Sequence, residues 1–327
     1  MKTMCIHDYG GPEQLCCEDV PIPEPGPQEV LVRVHAAGVN PADRQIRAGL
    51  RHKLEKPFAL TLGFEVSGIV EKCGADVTEL AMGDEVYGML GALAGGYAEY
   101  AVVAAASLGR KPKTLDHVQA AALPVAALTA WDALFAVGGL VAGQTVLVHA
   151  AAGGVGHVAV QLATWRGAQV IGTASAQNEP FLRGLGVDEF INYRTTIFES
   201  VVRDVDVVLD AIPREADDAT DTLARETIAR SWAVLRDGGI QVSICAHPKP
   251  GPEHLARGLR GAYAGAKPRG DLLNRIAGLV DEGKLRPDVG AVLPLREARR
   301  AHELIQTGHT RGKIVLRITD DRGQEIQ

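Results

Sequence analysis

Hydrophobic and polar positions follow two textures along this 327-residue chain. From Met1 to about Val103, short apolar runs are broken by glycine and proline, as in VLVRVHAAGV at 30–39, VSGIVEKCG at 66–74 and DEVYGML at 84–90. Such spacing predicts a small β-rich, barrel-like domain. The proline-rich PIPEPGP at 21–27 ends on Pro25, Gly26 and Pro27, a rigid turn before the long strand. After Lys111 come alanine-rich helical segments around 117–137, then apolar runs at 146–148, 169–173, 189–192, 205–209, 240–244 and 262–264 that alternate with helical patterns. That alternation predicts a parallel, doubly wound sheet with right-handed crossovers. Beyond Leu285, DVGAVLPLREARRAHELIQTG holds a strand and an amphipathic helix, and KIVLRI at 313–318 is a last strand. This end is too short for a third domain and is expected to return to the first. The polar stretch 214–232 reads as a solvated loop leading into a helix.

The stretch TVLVHAAAGGVGHVAVQLA at 145–163 organises the second half. Val146 to Val148 reads as a parallel strand buried on both faces, and small residues follow from Ala150 to Gly156 before a helical pattern begins. Strand, glycine-rich turn and helix together present backbone N–H groups and a helix N-terminus to a pyrophosphate. The glycine pattern is A-x-G-x-x-G, with Ala151, Gly153 and Gly156 at its three positions, and Gly154 and Val155 complete the turn. A tight strand-to-helix connection needs the same glycines. The setting favours dinucleotide binding, because a second strand, 169–173, follows the helix.

A dinucleotide fold selective for NAD usually carries Asp or Glu at the end of the second strand, where it bonds the ribose 2′-OH. Here that end reads VIGTASAQN, without an acid. The absence permits a 2′-phosphate, and Ser175 and Gln177 can donate hydrogen bonds to one. Tyr193, in INYR at the end of the third strand, is placed to lie beside the adenosine, with Arg194 next to it. The expected cofactor is therefore NADPH.

Composition narrows the class. Apolar residues make up 46% and charged ones 23%, an ordinary globular balance, and the net charge of −6 comes with no basic block of the kind that tracks nucleic-acid phosphates. No apolar run approaches the ~18 residues of a membrane span, and MKTMCIHDYGG lacks a signal-peptide core. A cytoplasmic protein that binds neither nucleic acid nor membrane is expected. Cys5, Cys16, Cys17, Cys73 and Cys245 are too scattered for a disulfide framework, and neither C-x-x-C nor a Cys/His cluster with metal spacing occurs. The cysteines read as reduced, mostly buried thiols, without structural zinc.

The pieces together resemble the zinc-independent, zeta-crystallin-like quinone oxidoreductases of the medium-chain dehydrogenase/reductase superfamily. The likeness runs through PGPQEVLVRVHAAGVNPADRQIRAG at 25–49, GFEVSGIV at 63–70, GDEVYG at 83–88, GGYAEY at 95–100, LPVAALTAWDAL at 123–134, HAAAGGVG at 149–156, INYR at 191–194, GGIQVSI at 238–244 and TRGKIVL at 310–316. It implies an α/β chain with a GroES-like domain over 1–124 and 286–327, a Rossmann domain over 125–285, a cleft between them and a homodimer. The catalytic ligands of the superfamily's zinc alcohol dehydrogenases would fall at Asn40, Phe64 and a position near Ala126, none of which is Cys or His. A zinc site needs three protein ligands of N, S or O type.

By the same resemblance, Asn40 lies near the nicotinamide as a hydrogen-bond donor, although it also reads as a turn residue before Pro41. Asp43 reads as a structural carboxylate, and Thr129, Ser243, Ile244 and Lys313 are carried over as cofactor contacts. Relatives place a tyrosine where this chain has Gln45 or Arg51. Arg51, His52 and Lys53 could add a positive rim to the cleft or simply be solvated. The activity expected is NADPH-dependent hydride transfer to a quinone. The alternatives are reduction of an enone, enal or enoyl thioester, suggested by HAAAGGVG, and a non-catalytic NADPH-binding role.

Overall fold

In the computed structural model of the protein, residues 1–50, 59–91, 95–213 and 218–319 are described, so Arg51, His52 and Lys53 lie outside the described residues. The chain divides into two compact units, Met1–Leu128 with Lys267–Gln327, and Thr129–Ala266.

The first unit begins with β1 (Lys2–Ile6), β2 (Cys16–Asp19), β3 (Glu29–Val39), β4 (Leu60–Thr61), β5 (Glu65–Cys73), β6 (Glu85–Met89), β7 (Tyr100–Ala104) and β8 (Leu108–Arg110). In the second unit β9 (Thr145–His149), β10 (Gln169–Ala174), β11 (Glu189–Asn192), β12 (Val205–Asp210), β13 (Leu235–Ser243) and β14 (Arg260–Tyr263) follow, at or close to the expected positions. The chain then returns to the first unit with β15 (Val289–Pro294) and β16 (Lys313–Arg317).

Strand β3 is the spine of the first unit, pairing antiparallel with β5, β7 and β16. The larger sheet runs β15-β16-β3-β5-β6-β8, and β2-β1-β4 forms a smaller one. The β3/β5 register shifts between Val34 and Ala36, which reverses the alternation of faces. Val30, Val32 and Val34 therefore join Ala37 and Val39 in one core, while Ala36 turns to a second cluster with Ala121, Ala122 and Val315.

Helix Pro41–Arg47 starts at β3's end, and it buries Asp43 and Arg47 completely or nearly so. Asp43 accepts from the backbone N–H of Asn40 (2.8 Å) and of Gly63 (2.9 Å), the structural role expected of it. Arg47 donates to the Gly10 carbonyl, to Gln306 Oε1 and to His302 Nδ1, which docks the returning helix Ala298–Gln306. Since arginine only donates, His302 Nδ1 is an acceptor and its proton sits on Nε2, facing the Tyr97 hydroxyl at 3.3 Å.

The second unit holds one parallel sheet in the order β11-β10-β9-β12-β13-β14. The order reverses at β9, where strands on one side connect back and those on the other connect forward. Its helix Gly156–Arg166 is buried from Gly156 to Ala163, which small and apolar residues allow, and it ends on Gly167 in the left-handed region (φ 81°). His149 locks three elements together: Nε2 lies 3.0 Å from Ser231 Oγ and Nδ1 lies 3.1 Å from Thr173 Oγ1. Ser231 donates to the Thr227 carbonyl, so His149 donates from Nε2 and accepts at Nδ1. The helix expected to follow a solvated loop in 214–232 forms over Asp218–Ser231, with Ala224, Thr227, Ile228 and Ser231 buried rather than solvated.

The unit boundary also differs from the expected one after Leu285. Helix Gly270–Asp281 packs on β8: Tyr87 donates to the Leu273 carbonyl (2.7 Å), Asn274 accepts from the Arg110 N–H, and a Cβ on Gly270 would lie 2.2 Å from the Leu108 carbonyl oxygen. These long-range fits are invisible to an alternation of strands and helices.

Three buried or half-buried histidines, His149, His302 and His117, set the acid limit of the fold. Burial lowers His149 and His302 to about 3 from 6.5, and burial beside His35 lowers His117 to about 4. Unfolded chains take up these protons below about pH 6.5, so each histidine's stabilisation is complete above that pH and is lost as pH falls. Asp43 acts oppositely: burial raises it to about 7 from 3.8, so the folded form takes its proton first on acidification. Between about pH 6.5 and pH 5 each group is worth ~2 kcal/mol. Three histidines outweigh one carboxyl, and urea unfolding should show ~4 kcal/mol less stability at the lower pH. An unchanged or higher midpoint there contradicts the assignment.

Candidate active site

The turn after β9 is built by exclusion of side chains. Ala150 takes a left-handed backbone (φ 51°), and its carbonyl oxygen would lie 2.2 Å from a Cβ on Gly156, whereas the corresponding distance at Gly153 is 3.2 Å. Gly156 is therefore what lets the helix start close against the strand. Ala151 and Ala152 are buried, and Gly153, Gly154 and Val155 are half-buried at the turn's outer side. The helix begins after Val155 without a side-chain cap. The uncapped start of the helix, with the positive end of its dipole, thus stands at the sheet's switch point, a fit for a dinucleotide pyrophosphate.

The neighbouring strand ends supply polar groups. Ala174 of β10 is in register with Asn192 of β11, so Ser175 and Tyr193 continue adjacent strands, and the Tyr193 N–H reaches the Ala174 carbonyl. Ser175 accepts from Asn178 Nδ2 at 3.0 Å, and Gln177 is exposed. Tyr193 is 47% exposed, and the Arg194 guanidinium lies 5.8 Å from its ring centroid with Nε 3.4 Å from its hydroxyl. An exposed ring, an exposed cation and an acid-free strand end meet on one edge of the sheet.

On the other side of the switch point, Ser243 is fully buried and donates to Asp210 Oδ2 (2.7 Å) while accepting from the N–H groups of Cys245 and Ala246. Its hydroxyl is committed to shaping this loop, and the half-buried Ile244 that follows donates its N–H to the Asp210 carbonyl. Thr129 is buried on helix Pro124–Trp131.

In the first unit Asn40 and Lys313 come together around a carboxylate that sequence reasoning passed over. Glu65 is fully buried; its Oε1 accepts from Lys313 Nζ (2.7 Å) and Asn40 Nδ2 (2.8 Å), and its Oε2 accepts from the Val125 N–H (2.7 Å). Lys313 Nζ also donates to Asn40 Oδ1 (2.5 Å) and the Val39 carbonyl (3.3 Å). Lys313 was expected to touch the cofactor; its ammonium is instead spent inside this cluster, because a buried cation needs an anion and acceptors around it. Glycine at 38 makes the cluster possible, since a Cβ there would lie 2.3 Å from Glu65 Oε1. The signal in the sequence was GFEVSGIV, where an acid interrupts an otherwise apolar strand.

The cluster also orients Asn40. An ammonium can only donate and a carboxylate only accept, so the amide oxygen points to Lys313 and Nδ2 to Glu65. One of two Nδ2 hydrogens goes to Glu65, leaving the other as a donor. Phe64 offers no ligand, and Asn40's oxygen is occupied. Elsewhere in this unit Ser67, His117 and Glu85 have the connectivity of a nucleophilic triad, with Ser67 Oγ 2.8 Å from His117 Nδ1 and His117 Nε2 3.3 Å from Glu85 Oε1. Ser67 is fully buried and hydrogen-bonded to the Val86 carbonyl, which makes this a structural pin.

Comparison with known proteins agrees with both halves. The family described as alcohol dehydrogenase GroES-like domain matches residues 26–113, and that described as zinc-binding dehydrogenase matches 185–316. The quinone oxidoreductase of Sus scrofa is 32% identical over 97% of this chain and 97% of its own. A chloroplastic NADPH-dependent alkenal/one oxidoreductase of Arabidopsis thaliana is 32% identical over 97% of this chain and 79% of its own. The solved quinone oxidoreductase of Coxiella burnetii superposes with a TM-score of 0.83 at 34% identity, covering 97% of this chain and 99% of that one.

Three substitutions test the geometry. Gly156→Ala should weaken NAD(P)H binding, read by nucleotide fluorescence, at least tenfold, because the helix start must retreat from β9; wild-type affinity would refute the cradle. Glu65→Gln and Lys313→Met should each cost ~3–5 kcal/mol in urea unfolding, for leaving a buried charge alone. The double variant should lose clearly less than the two together, and strict additivity would show that the pair does not interact.

Proposed function

Because the chain belongs to the quinone-oxidoreductase branch of the medium-chain dehydrogenase/reductase superfamily, and so to the NAD(P)H-dependent oxidoreductases, we propose that it is an NADPH-dependent reductase of quinones and related conjugated carbonyls that works without catalytic zinc. The single observation carrying this reading is the polarity of Asn40. With its oxygen held by Lys313, and with the ligand-free Phe64 next to its partner Glu65 in the sequence, that position offers an N–H donor where a metal would need a lone pair. The donor set does not fit the zinc that one family description names.

Bound NADPH supplies a hydride from nicotinamide C4. The chain's task is to hold the reactants in place and stabilise the negative charge that develops on the acceptor oxygen. We assign that stabilisation to the remaining Nδ2 hydrogen of Asn40. A semi-delocalised quinol or enolate oxyanion needs only such a modest donor, and water completes the protonation. Glu65 and Lys313 are positioning residues that keep the amide from flipping.

For the cofactor, the acid-free end of β10 supports NADPH over NADH, with Ser175, Gln177 and Arg194 as the groups for a 2′-phosphate and Tyr193 for the adenosine. The enone alternative shares this chemistry, since both reactions place hydride on an electron-poor conjugated system, and the Arabidopsis relative favours retaining it. A homodimer, as the resemblance implies, belongs to the same proposal.

Steady-state assays decide the reading. The chelator-treated protein should oxidise NADPH with 1,4-benzoquinone or phenanthrenequinone faster than NADH, and Arg194→Ala should lower kcat/KM about tenfold for NADPH only, the value of roughly one charge-assisted contact. No quinone turnover above the uncatalysed rate, with turnover of alkenals or a crotonyl thioester, would transfer the assignment to C=C reduction. Activity that vanishes on chelation and returns with zinc would overturn the metal-free mechanism.

A further inference from the structure

We propose that Cys5, His7 and Glu18 form a binding site for a thiophilic divalent cation, zinc foremost, on the small β2-β1-β4 sheet, separate from the hydride-transfer machinery. Local spacing gave no sign of it. The donors come from two strands, and antiparallel pairing assembles them: Cys5 stands opposite Cys16 and Thr3 opposite Glu18. Opposed residues share a face, as do residues two apart along a strand. Cys5 and Glu18 thus look the same way, and His7, just past the end of β1, joins them.

The measured separations are those of a coordination sphere. Cys5 Sγ lies 3.9 Å from His7 Nε2, His7 Nε2 lies 2.6 Å from Glu18 Oε1, and all three donor atoms fall within 4.8 Å of one another. With Zn–S near 2.3 Å and Zn–N near 2.0–2.1 Å, a tetrahedral sphere places sulfur and nitrogen about 3.6 Å apart. The Cys–His edge already meets that distance, and the His–Glu edge has to open by less than about 1 Å. Among the described residues this is the one cluster of Cys, His and acidic donors so arranged.

Chemistry and exposure point the same way. One thiol, one imidazole and one carboxylate are a donor set suited to a borderline-soft cation. Cys5 is buried, while the His7 and Glu18 side chains are 54% and 37% exposed, so the site is closed on its inner side and open to solvent for the remaining position. Binding moves two protons: the Cys5 proton leaves to solvent as the metal–sulfur bond forms, and the Nε2 proton that His7 donates to Glu18 passes to solvent while the imidazole carries its single proton on Nδ1, so that the Nε2 lone pair and the released Glu18 oxygen both turn to the metal. The result cross-links β1 to β2. A loaded protein should therefore melt at a higher temperature.

Chelator-stripped full-length protein titrated with Co²⁺ alone, and separately with Zn²⁺ alone, tests this. One equivalent of Co²⁺ should produce a thiolate-to-cobalt charge-transfer absorption that Cys5→Ser abolishes and that Cys16→Ser and Cys17→Ser keep. His7→Ala and Glu18→Gln, at exposed positions where folding is not at stake, should each weaken Co²⁺ at least tenfold, and Zn²⁺ should raise the melting temperature of the wild type but not of these variants. Absence of the band, its survival in Cys5→Ser, or an affinity indifferent to both exposed substitutions would overturn the site. None of these readouts depends on the reductase assignment.

Discussion

A carboxylate buried without water has to be answered on every side, and Glu65 is answered by three donors that come from distant parts of the chain. Lys313 brings the C-terminal return, Asn40 the end of the long central strand, and the Val125 N–H the start of the helix Pro124–Trp131. The cost of desolvating such a pair is several kcal/mol per ion, so it persists only where the surrounding hydrogen bonds are complete. Completeness here depends on a missing side chain. Gly38, opposite Glu65 in the β3/β5 register, leaves the space that the carboxylate fills.

That constraint fixes the orientation of one amide, on which the proposed oxyanion contact rests. Asn40 sits where a helix cap would ordinarily turn its side chain inward to the first-turn N–H groups. Here the first-turn Asp43 N–H is met by the Asn40 backbone carbonyl (3.0 Å), and Asp43 in turn accepts from the Asn40 N–H, so the Asn40 side chain is released to face Glu65 and Lys313. The ammonium claims the oxygen, so what remains on Asn40 is a hydrogen-bond donor. A donor suits an oxyanion and repels a metal ion, and the same pair of charges thereby serves both the stability of the unit and the polarity of its site.

The second unit solves a different problem, that of bringing backbone close to a charged ligand. Its parallel sheet reverses order at β9, and the turn there is stripped of side chains so that the helix can start close against the strand. Around it, the polar side chains divide into two kinds. Ser243, Asp210 and His149 are consumed in holding strands and loops together, whereas Ser175, Gln177, Tyr193 and Arg194 stand at the rim with capacity to spare. This division explains why a buried serine and a half-exposed one, both at strand ends, take different parts.

What the amino-acid order determined by itself was local and periodic. Apolar runs marked the parallel strands, the small residues from Ala150 to Gly156 marked the turn, and the absence of an acid near Ser175 set the electrostatics of the rim, because each of these is written within a few neighbouring positions. The partners of Lys313, the burial of Glu65, the attachment of helix Gly270–Asp281 to β8 and the convergence of Cys5, His7 and Glu18 were decided only by the tertiary structure. In each case the interacting groups lie on different strands or far apart in the chain, and what unites them is the register of a sheet or the need of a buried charge for a partner, neither of which has a period that a sequence can display.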